Sequence, residues 1–428
     1  MSGAEQKPAM GVKRIQKLFP EAEMLEFELF EAQELLESKK ASFEYALSMG
    51  GNLGRALREY YAEDEDYAEK MRYVKTPLSA RNEKLSPKCA DELFGGKLKT
   101  SYTRLEKYIR CRFAYFCEYE LALQDRMPTS FGAVDIGSFM HGVLEKTVQW
   151  LASGAENDIE ATVRDIAKQY ILSVLRLSEE NVPKRLRNLF DYLSRYAVRF
   201  AEQIKAEFEE TDFRPLDFEL TVGSGGDAVS PMTLSADSVS VDLRGKIDRV
   251  DAFEGEGGKL YLRVVDYKTG EKAFDLENVK LGLDMQMLLY LFSLWENGER
   301  RYGKEIIPAG VMYAGIKPSC IDLQIGDEAG EGEIAVKRSG LFLHDEVILR
   351  AMDPELAGKW IPIKKRDLEK GKANLLGLDA FLQMKKDVSE TVLRYAAELK
   401  DGVAGARPLS VSGKSPCEYC KMRAICRT

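Results

Sequence analysis

Two aspartates and a lysine near the middle of this 428-residue chain have the types and spacing that metal-assisted hydrolysis requires. The stretch from Arg244 to Gly270 reads R-G-K-I-D-R-V-D-A-F-E-G-E-G-G-K-L-Y-L-R-V-V-D-Y-K-T-G. Asp248 and Asp266 offer carboxylate oxygens, the donors a hard cation such as Mg²⁺ prefers. Lys268 places an ammonium two residues beyond the second aspartate. A cation between the carboxylates would polarise a phosphate and lower the pKa of a water, and the lysine would position the resulting hydroxide. That chemistry is hydrolysis of a phosphodiester.

A second constellation closes the chain. There are seven cysteines, and Cys417, Cys420 and Cys426 form a C-x2-C-x5-C run. In a reducing compartment such grouping argues for metal ligation rather than disulfides. Three thiolates want a fourth, because structural metal sites take four protein ligands. Cys111, within Arg110-Cys111-Arg112-Phe113, is the candidate that the family resemblance described below implies. Zinc and an iron–sulfur cluster both accept four thiolates. Four-cysteine zinc sites normally use two C-x2-C pairs, whereas here one ligand stands alone, which favours iron–sulfur. Cys117 falls off the helix face of Cys111 and is read as unligated; Cys89 and Cys320 are read as ordinary buried thiols.

These residues need elements to carry them. Leu243 to Phe253 alternates apolar and polar side chains like a strand, Glu254 to Gly258 is a turn, and Lys259 to Tyr267 is a second strand. Period-two alternation puts Asp266 and Lys268 on one face and Tyr267 on the other. Phe213 to Val222 and Met232 to Val241 read as further strands, Ile307 to Gly315 as a buried one, and Lys317 as the close of a sheet edge. Glu219 reads equally as an outer carboxylate of the site or as a surface residue. Ile159 to Leu177 and Val182 to Glu210 are amphipathic helices that would frame the core. Gly137 and Ser138 start a helix with His141 on its first turn. Gln286 and Tyr290, four apart, share a helix face, although that helix is otherwise apolar and Tyr290 also reads as core. Asp379 to Gly402 forms a later helix.

Ser86-Pro87 starts a helix and Gly95-Gly96 stops it. Ser101 caps the next, with Arg104, Lys107, Arg110 and Arg112 along it. Between Lys97 and Arg112 six basic residues meet one acid, Glu106. Interleaved aromatics make this segment suit a nucleic-acid backbone, the alternative being aromatics in the core and solvated charges. Arg423, with Lys414, Lys421 and Arg427, adds positive charge beside the terminal cysteines. Residues from Lys13 to Arg72 look helical, and seven glutamates between Glu21 and Glu37 read as a solvated face.

Composition sets the outer bounds. Apolar content of 45% and charged content of 31% suit a soluble chain of two or three domains. The net charge of −8 does not advertise a nucleic-acid binder, but local patches decide binding. No apolar run approaches the roughly 20 residues that span a bilayer, and M-S-G-A-E-Q-K-P lacks a signal peptide's apolar segment, so a cytoplasmic protein is expected. There is no G-x-x-x-x-G-K-[ST] motor loop.

Taken in order, S-x-x-R-L-E at Ser101, G-x-x-x-H ending at His141, G-K-I-D-R-V-D, D-Y-K-T-G, Q-x-x-x-Y and the four cysteines resemble the PD-(D/E)xK nuclease superfamily. The branch is the one that holds the nuclease domains of RecB and AddB, with the AddB-like domains most similar. The resemblance runs from about Leu85 to the end. It implies an α/β (α+β) fold: a restriction-endonuclease-like core with a mixed central sheet flanked by helices, and an iron–sulfur tail. It implies two domains, a helical segment over 1–84 and a nuclease domain over 85–428. It further implies that His141, Asp248, Asp266 and the Tyr267 carbonyl hold Mg²⁺ or Mn²⁺, that Lys268 assists the water, and that Gln286 and Tyr290 hold the substrate strand. Cys111, Cys417, Cys420 and Cys426 would hold a [4Fe-4S] cluster, although the usual proline after the first cysteine is Arg112 here. Arg104, Arg110 and Arg423 would meet DNA. The implied activity is exonuclease action on single-stranded DNA ends in double-strand break repair, on the 5′-terminated strand, with an AddA-like helicase–nuclease partner. The chain would be a fragment of a longer protein of that kind or a free-standing relative. A non-catalytic DNA-binding iron–sulfur module is the reading from another class. A CRISPR-associated RecB-like nuclease is the nearer rival, though typically shorter.

Overall fold

The computed structural model describes residues 14–15, 17–21, 36–48, 51–75, 84–123, 133–154, 158–173, 184–236, 239–269, 272–316 and 336–426. Most of the glutamate-rich segment, Lys317, Cys320 and Arg427 lie outside the described residues. The chain divides into two units, Met1–Arg81 and Asn82–Thr428.

The first unit is helical. Helices α1 (Lys39–Ser48), α2 (Gly51–Glu63) and α3 (Ala68–Lys75) meet on Phe43, Ala46, Leu57, Tyr61 and Met71. Tyr61 is buried, so its hydroxyl must find partners: it lies 2.6 Å from Ser42 Oγ and donates to the Lys39 carbonyl at 2.8 Å.

The second unit is built on a mixed sheet. Ser86 caps α4 (Pro87–Phe94) by accepting from the Cys89 N–H, and the helix stops at Gly95. Strand β1 (Leu98–Ser101) follows, and Ser101 caps α5 (Tyr102–Arg110) by accepting from the Arg104 N–H. The basic helix expected through Arg112 breaks at Cys111, whose backbone is extended (φ −166°, ψ 115°); a single turn, Arg112–Tyr115, restarts beyond it. Helix α6 spans Ala133–Ala152, so His141 sits two turns into it rather than on the first turn. Helices α7 (Ile159–Ser173) and α8 (Lys184–Glu210) pack with it.

Strand β2 is Arg214–Val222 and β3 is Thr233–Ala236. The single strand expected from Met232 to Val241 is two: β3 ends at Ala236, and β4 runs Val239–Glu254. After the turn comes β5 (Leu260–Thr269), then α9 (Gln286–Asn297), β6 (Ile306–Ile316), β7 (Lys337–Leu343), β8 (Leu375–Leu376) and α10 (Leu378–Lys400). The order of the eight-stranded sheet is β1-β4-β5-β6-β7-β8, with β2 and β3 also paired to β4. Strands β4 and β5 are antiparallel, and β5 and β6 are parallel. Strand β6 is apolar almost throughout and buried, as a strand covered on both faces must be.

The β4–β5 ladder is what matters for chemistry. It runs from Glu254↔Leu260 to Arg249↔Val265 and stops there. Beyond that point β5 stays paired with β6 as far as Thr269↔Ile316, while β4 stays paired with β2 as far as Gly245↔Val222. The two strands therefore part at the end that carries Asp248 and Asp266.

Candidate active site

Each expected site residue can be traced to its element. Asp248 lies on β4 just past the last β4–β5 pair, and Asp266, Tyr267 and Lys268 lie on the free end of β5 facing it. The Tyr267 N–H, without a ladder partner on β4, donates to Asp248 Oδ2 at 3.0 Å. His141 reaches in from α6 and places Nε2 3.0 Å from the same oxygen. Lys268 Nζ lies 2.6 Å from Asp266 Oδ2, so the two share a face as the strand period requires. His141 contacts Asp248, and the Asp266–Lys268 pair lies across from them where the strands part, but among the described residues the group whose ligand atoms meet single-ion spacing includes neither Asp248 nor Asp266.

Two carboxylates join them. The side-chain ligand atoms of His141, Glu145 and Glu219 lie within 4.8 Å of one another, the spacing a single ion needs. Glu145 follows His141 by one helical turn, and the H-x-x-x-E spacing is the sequence signal that finds it. Glu219, expected equally at the surface, faces inward: its Oε1 is buried, accepts no hydrogen bond, and stands 3.8 Å from His141 Nδ1. Lys246 pairs with the other Glu219 oxygen. The Glu219 backbone is left-handed, with φ 49°, rare for a residue with a side chain and costly by roughly 1–2 kcal/mol. Regular pairing continues on both sides of it, Phe218↔Arg249 and Leu220↔Ile247. The strand absorbs one strained residue and turns its carboxylate to the site.

Electrostatics bear the marks of crowded acidic groups. Asp266 is pushed up to about 6, first by burial and then by the charge of Asp248, with Lys268 and Lys272 opposing. His141 is raised by its hydrogen bond to Asp248, against burial, with the charges of Asp248, Glu219 and Asp266 adding to it. Burial raises Glu145, and the Glu219 charge reinforces it. Hard oxygens, an imidazole and an unsatisfied buried carboxylate oxygen fit a divalent cation.

Gln286 and Tyr290 do come together at the start of α9, Gln286 Nε2 donating to Tyr290 Oη at 3.1 Å. Tyr290 is mostly buried, yet its hydroxyl also accepts from the Lys246 N–H at 3.3 Å. It reaches β4 because residue 245 is glycine: a Cβ there would stand 2.1 Å from the phenol oxygen.

The cysteines form a separate site. Cys111, Cys417, Cys420 and Cys426 line one cavity of about 280 Å³, together with Lys107, Arg110 and Arg423. The tail is stitched to α5 around it: the Leu409 N–H donates to the Arg110 carbonyl at 2.9 Å, and Tyr108 Oη donates to the Val403 carbonyl at 2.8 Å. Among the described residues, no three cysteine sulfurs fall within 4.8 Å of one another. Burial raises the Cys111 and Cys117 thiols, and Cys426 and Cys420 contribute to both shifts. Cys89 is half-buried rather than buried. The basic residues nearby are partly committed: Arg110 is held by Glu106 at 2.6 Å, Lys107 by Glu118 at 2.6 Å, and Arg104 lies over the Tyr119 ring at 4.9 Å.

The chain is similar to known proteins. The chain is 28% identical over 99% of its length to the B-type subunit of the ATP-dependent helicase/deoxyribonuclease of Clostridium acetobutylicum. It is 30% identical to proteins of the same name from Ruminiclostridium cellulolyticum, over 88% of the chain, and Clostridium perfringens, over 99%. The chain spans only 39%, 34% and 40% of those relatives, respectively. No helix of the described residues is long and apolar enough to cross a membrane. A family model for the PD-(D/E)XK nuclease superfamily matches residues 99–427, which contain both the acidic residues described above and the cysteine cavity; the chain belongs to that superfamily.

Proposed function

We propose that this chain is the nuclease part of an AddB-like helicase–deoxyribonuclease protein, and that it cleaves phosphodiester bonds at single-stranded DNA ends with Mg²⁺ or Mn²⁺. The observation that supports this is that His141 reaches Asp248 where β4 and β5 part, with the Asp266–Lys268 pair on the facing strand end. His141, both aspartates and the Tyr267 carbonyl would hold the cation, with Glu145 and Glu219 completing its surroundings. A bound divalent cation polarises the phosphate and lowers the pKa of a water.

The chain's own residues do the rest. An ammonium has three donors. Lys268, ion-paired with Asp266, turns its donors to the attacking oxygen and a phosphate oxygen. Gln286 and Tyr290, fixed to each other and to β4, steady the substrate strand beside these residues. Arg104, Arg110 and Arg423 neutralise phosphates further along it. Action on the 5′-terminated strand and an AddA-like partner are the reading that similarity to the helicase/deoxyribonuclease relatives supports.

Cys111, Cys417, Cys420 and Cys426 we assign to a [4Fe-4S] cluster. A single zinc with sulfurs at about 2.3 Å would draw them to roughly 3.8 Å from one another. What supports the cluster over zinc is the grouping along the chain, one cysteine alone and three together, all four lining one cavity.

The test is a Mg²⁺-dependent digestion of end-labelled linear and circular single strands by purified Asp266→Ala and Lys268→Ala chains. Cutting of the linear strand should be lost with DNA binding retained, and circles should survive the unaltered chain. Retained cutting in either variant refutes the assignment.

A further inference from the structure

The metal-facing side of β4 and β5 has a hidden reverse. Arg249 follows Asp248 and points the opposite way, as does Tyr267 between Asp266 and Lys268. Both are buried, and Arg249 Nη1 donates to Tyr267 Oη at 2.9 Å. Arg249 is gripped in turn: Nε lies 2.7 Å from Asp251 Oδ1, and Nη2 donates to Asp251 Oδ2 at 2.8 Å. Arg263 on β5 donates to Asp251 Oδ2 at 2.6 Å and to Glu207 on α8 at 2.9 Å. Arg338 on β7 donates to the second Glu207 oxygen at 3.0 Å. The Tyr267 ring is held edge-on by Phe200 of α8, centroids 5.6 Å apart.

A buried charge network of this size is weak evidence for stability, because apolar residues of equal volume commonly serve as well. Its position is informative. The β4–β5 ladder ends at Arg249↔Val265, so past that pair no ladder register fixes the gap between the strands. Two links run across the gap from Tyr267. Its N–H binds Asp248 on the metal side, and its hydroxyl binds Arg249 on the hidden side. Tyr267 is also the residue whose carbonyl is assigned to the cation.

We infer that Arg249 is a positioning residue: anchored by Asp251, it holds Tyr267 across the parted strands and so sets the distance between Asp248 and the pair formed by Asp266 and the Tyr267 carbonyl. The inference rests on the metal centre proposed above. It assigns no chemistry to Arg249, which never touches substrate. Loss of a residue that orients a ligand typically costs about 10–100-fold in metal affinity or activity.

The experiment measures Mn²⁺ affinity of the full chain by calorimetry, with hydrogen exchange along β5. Tyr267→Phe removes one hydroxyl and keeps the ring, so it should fold as the unaltered chain does. It should bind Mn²⁺ at least about ten-fold more weakly, in line with that range, and residues 266–268 should exchange faster while Val264 stays protected. Arg249→Met should show the same loss. Arg263→Met strips the same buried acids of a partner without touching Tyr267; if it folds, it should keep Mn²⁺ affinity. Wild-type affinity and exchange in Tyr267→Phe would overturn the role of Arg249. An unaltered chain that binds no Mn²⁺ would overturn the metal centre, and this inference with it.

Discussion

Asp266 and His141 keep their protons to higher pH than the free side chains do. A cation must displace those protons, so affinity for Mn²⁺ should be full above neutrality and fall as pH drops through about 6, the value to which Asp266 is pushed up. Binding near that pH should release protons, seen as a buffer-dependent heat in calorimetry. An affinity flat from about pH 5 to about pH 8 would mean these groups do not face the ion. At this scale the sequence is most legible where side chains follow the strand period. Asp248, Asp266 and Lys268 can be placed because alternation dictates their faces. Glu219 cannot, because its orientation depends on a left-handed backbone that no neighbouring residue announces. Glu145 is legible only once His141 is taken as a ligand, from its position one turn beyond.

Helix α9 meets β4 through a close approach at one residue. Gly245 leaves room for the Tyr290 phenol, which accepts from the next residue's N–H. Gly245→Ala would force the ring away and should destabilise the fold by about 1–3 kcal/mol. It should also lower nuclease rate, since Tyr290 would no longer be held against β4. Urea unfolding and a single-strand digestion measure the two effects, and an alanine variant as stable and as fast as the parent would show the approach to be slack. Elements are legible where they are long and periodic, as with the helix over Leu378–Lys400 and the apolar strand Ile306–Ile316. They escape sequence reasoning where one residue decides. Helical spacing runs on through Cys111, which is extended, and apolar alternation bridges the break between two strands after Ala236.

The second unit joins distant parts of its sequence at the cysteine cavity. Residue 111 and the run from 417 to 426 share its wall. A cluster there would close a loop of roughly 300 residues, worth roughly 5–6 kcal/mol by the chain-entropy estimate for crosslinks. Cys426→Ala purified without oxygen should therefore lose iron, labile sulfide and visible absorbance together, and unfold at lower urea. Stoichiometric zinc in the parent, or unchanged stability in the variant, would contradict that. The grouping of three cysteines is plain in the sequence. Their fourth member comes from family likeness, because spacing alone says nothing about contacts across the whole chain. The β4–β5 hairpin, finally, is unlike at its two ends. At Glu254–Lys259 the strands are zipped, and the turn lies at the opposite end of the ladder from both aspartates. At Gly245 and Thr269 they diverge, and all the chemistry gathers there. Insertions and deletions over evolutionary time can therefore accumulate at the zipped tip, whereas one residue gained or lost at the open mouth would turn every ligand on that strand to the wrong side.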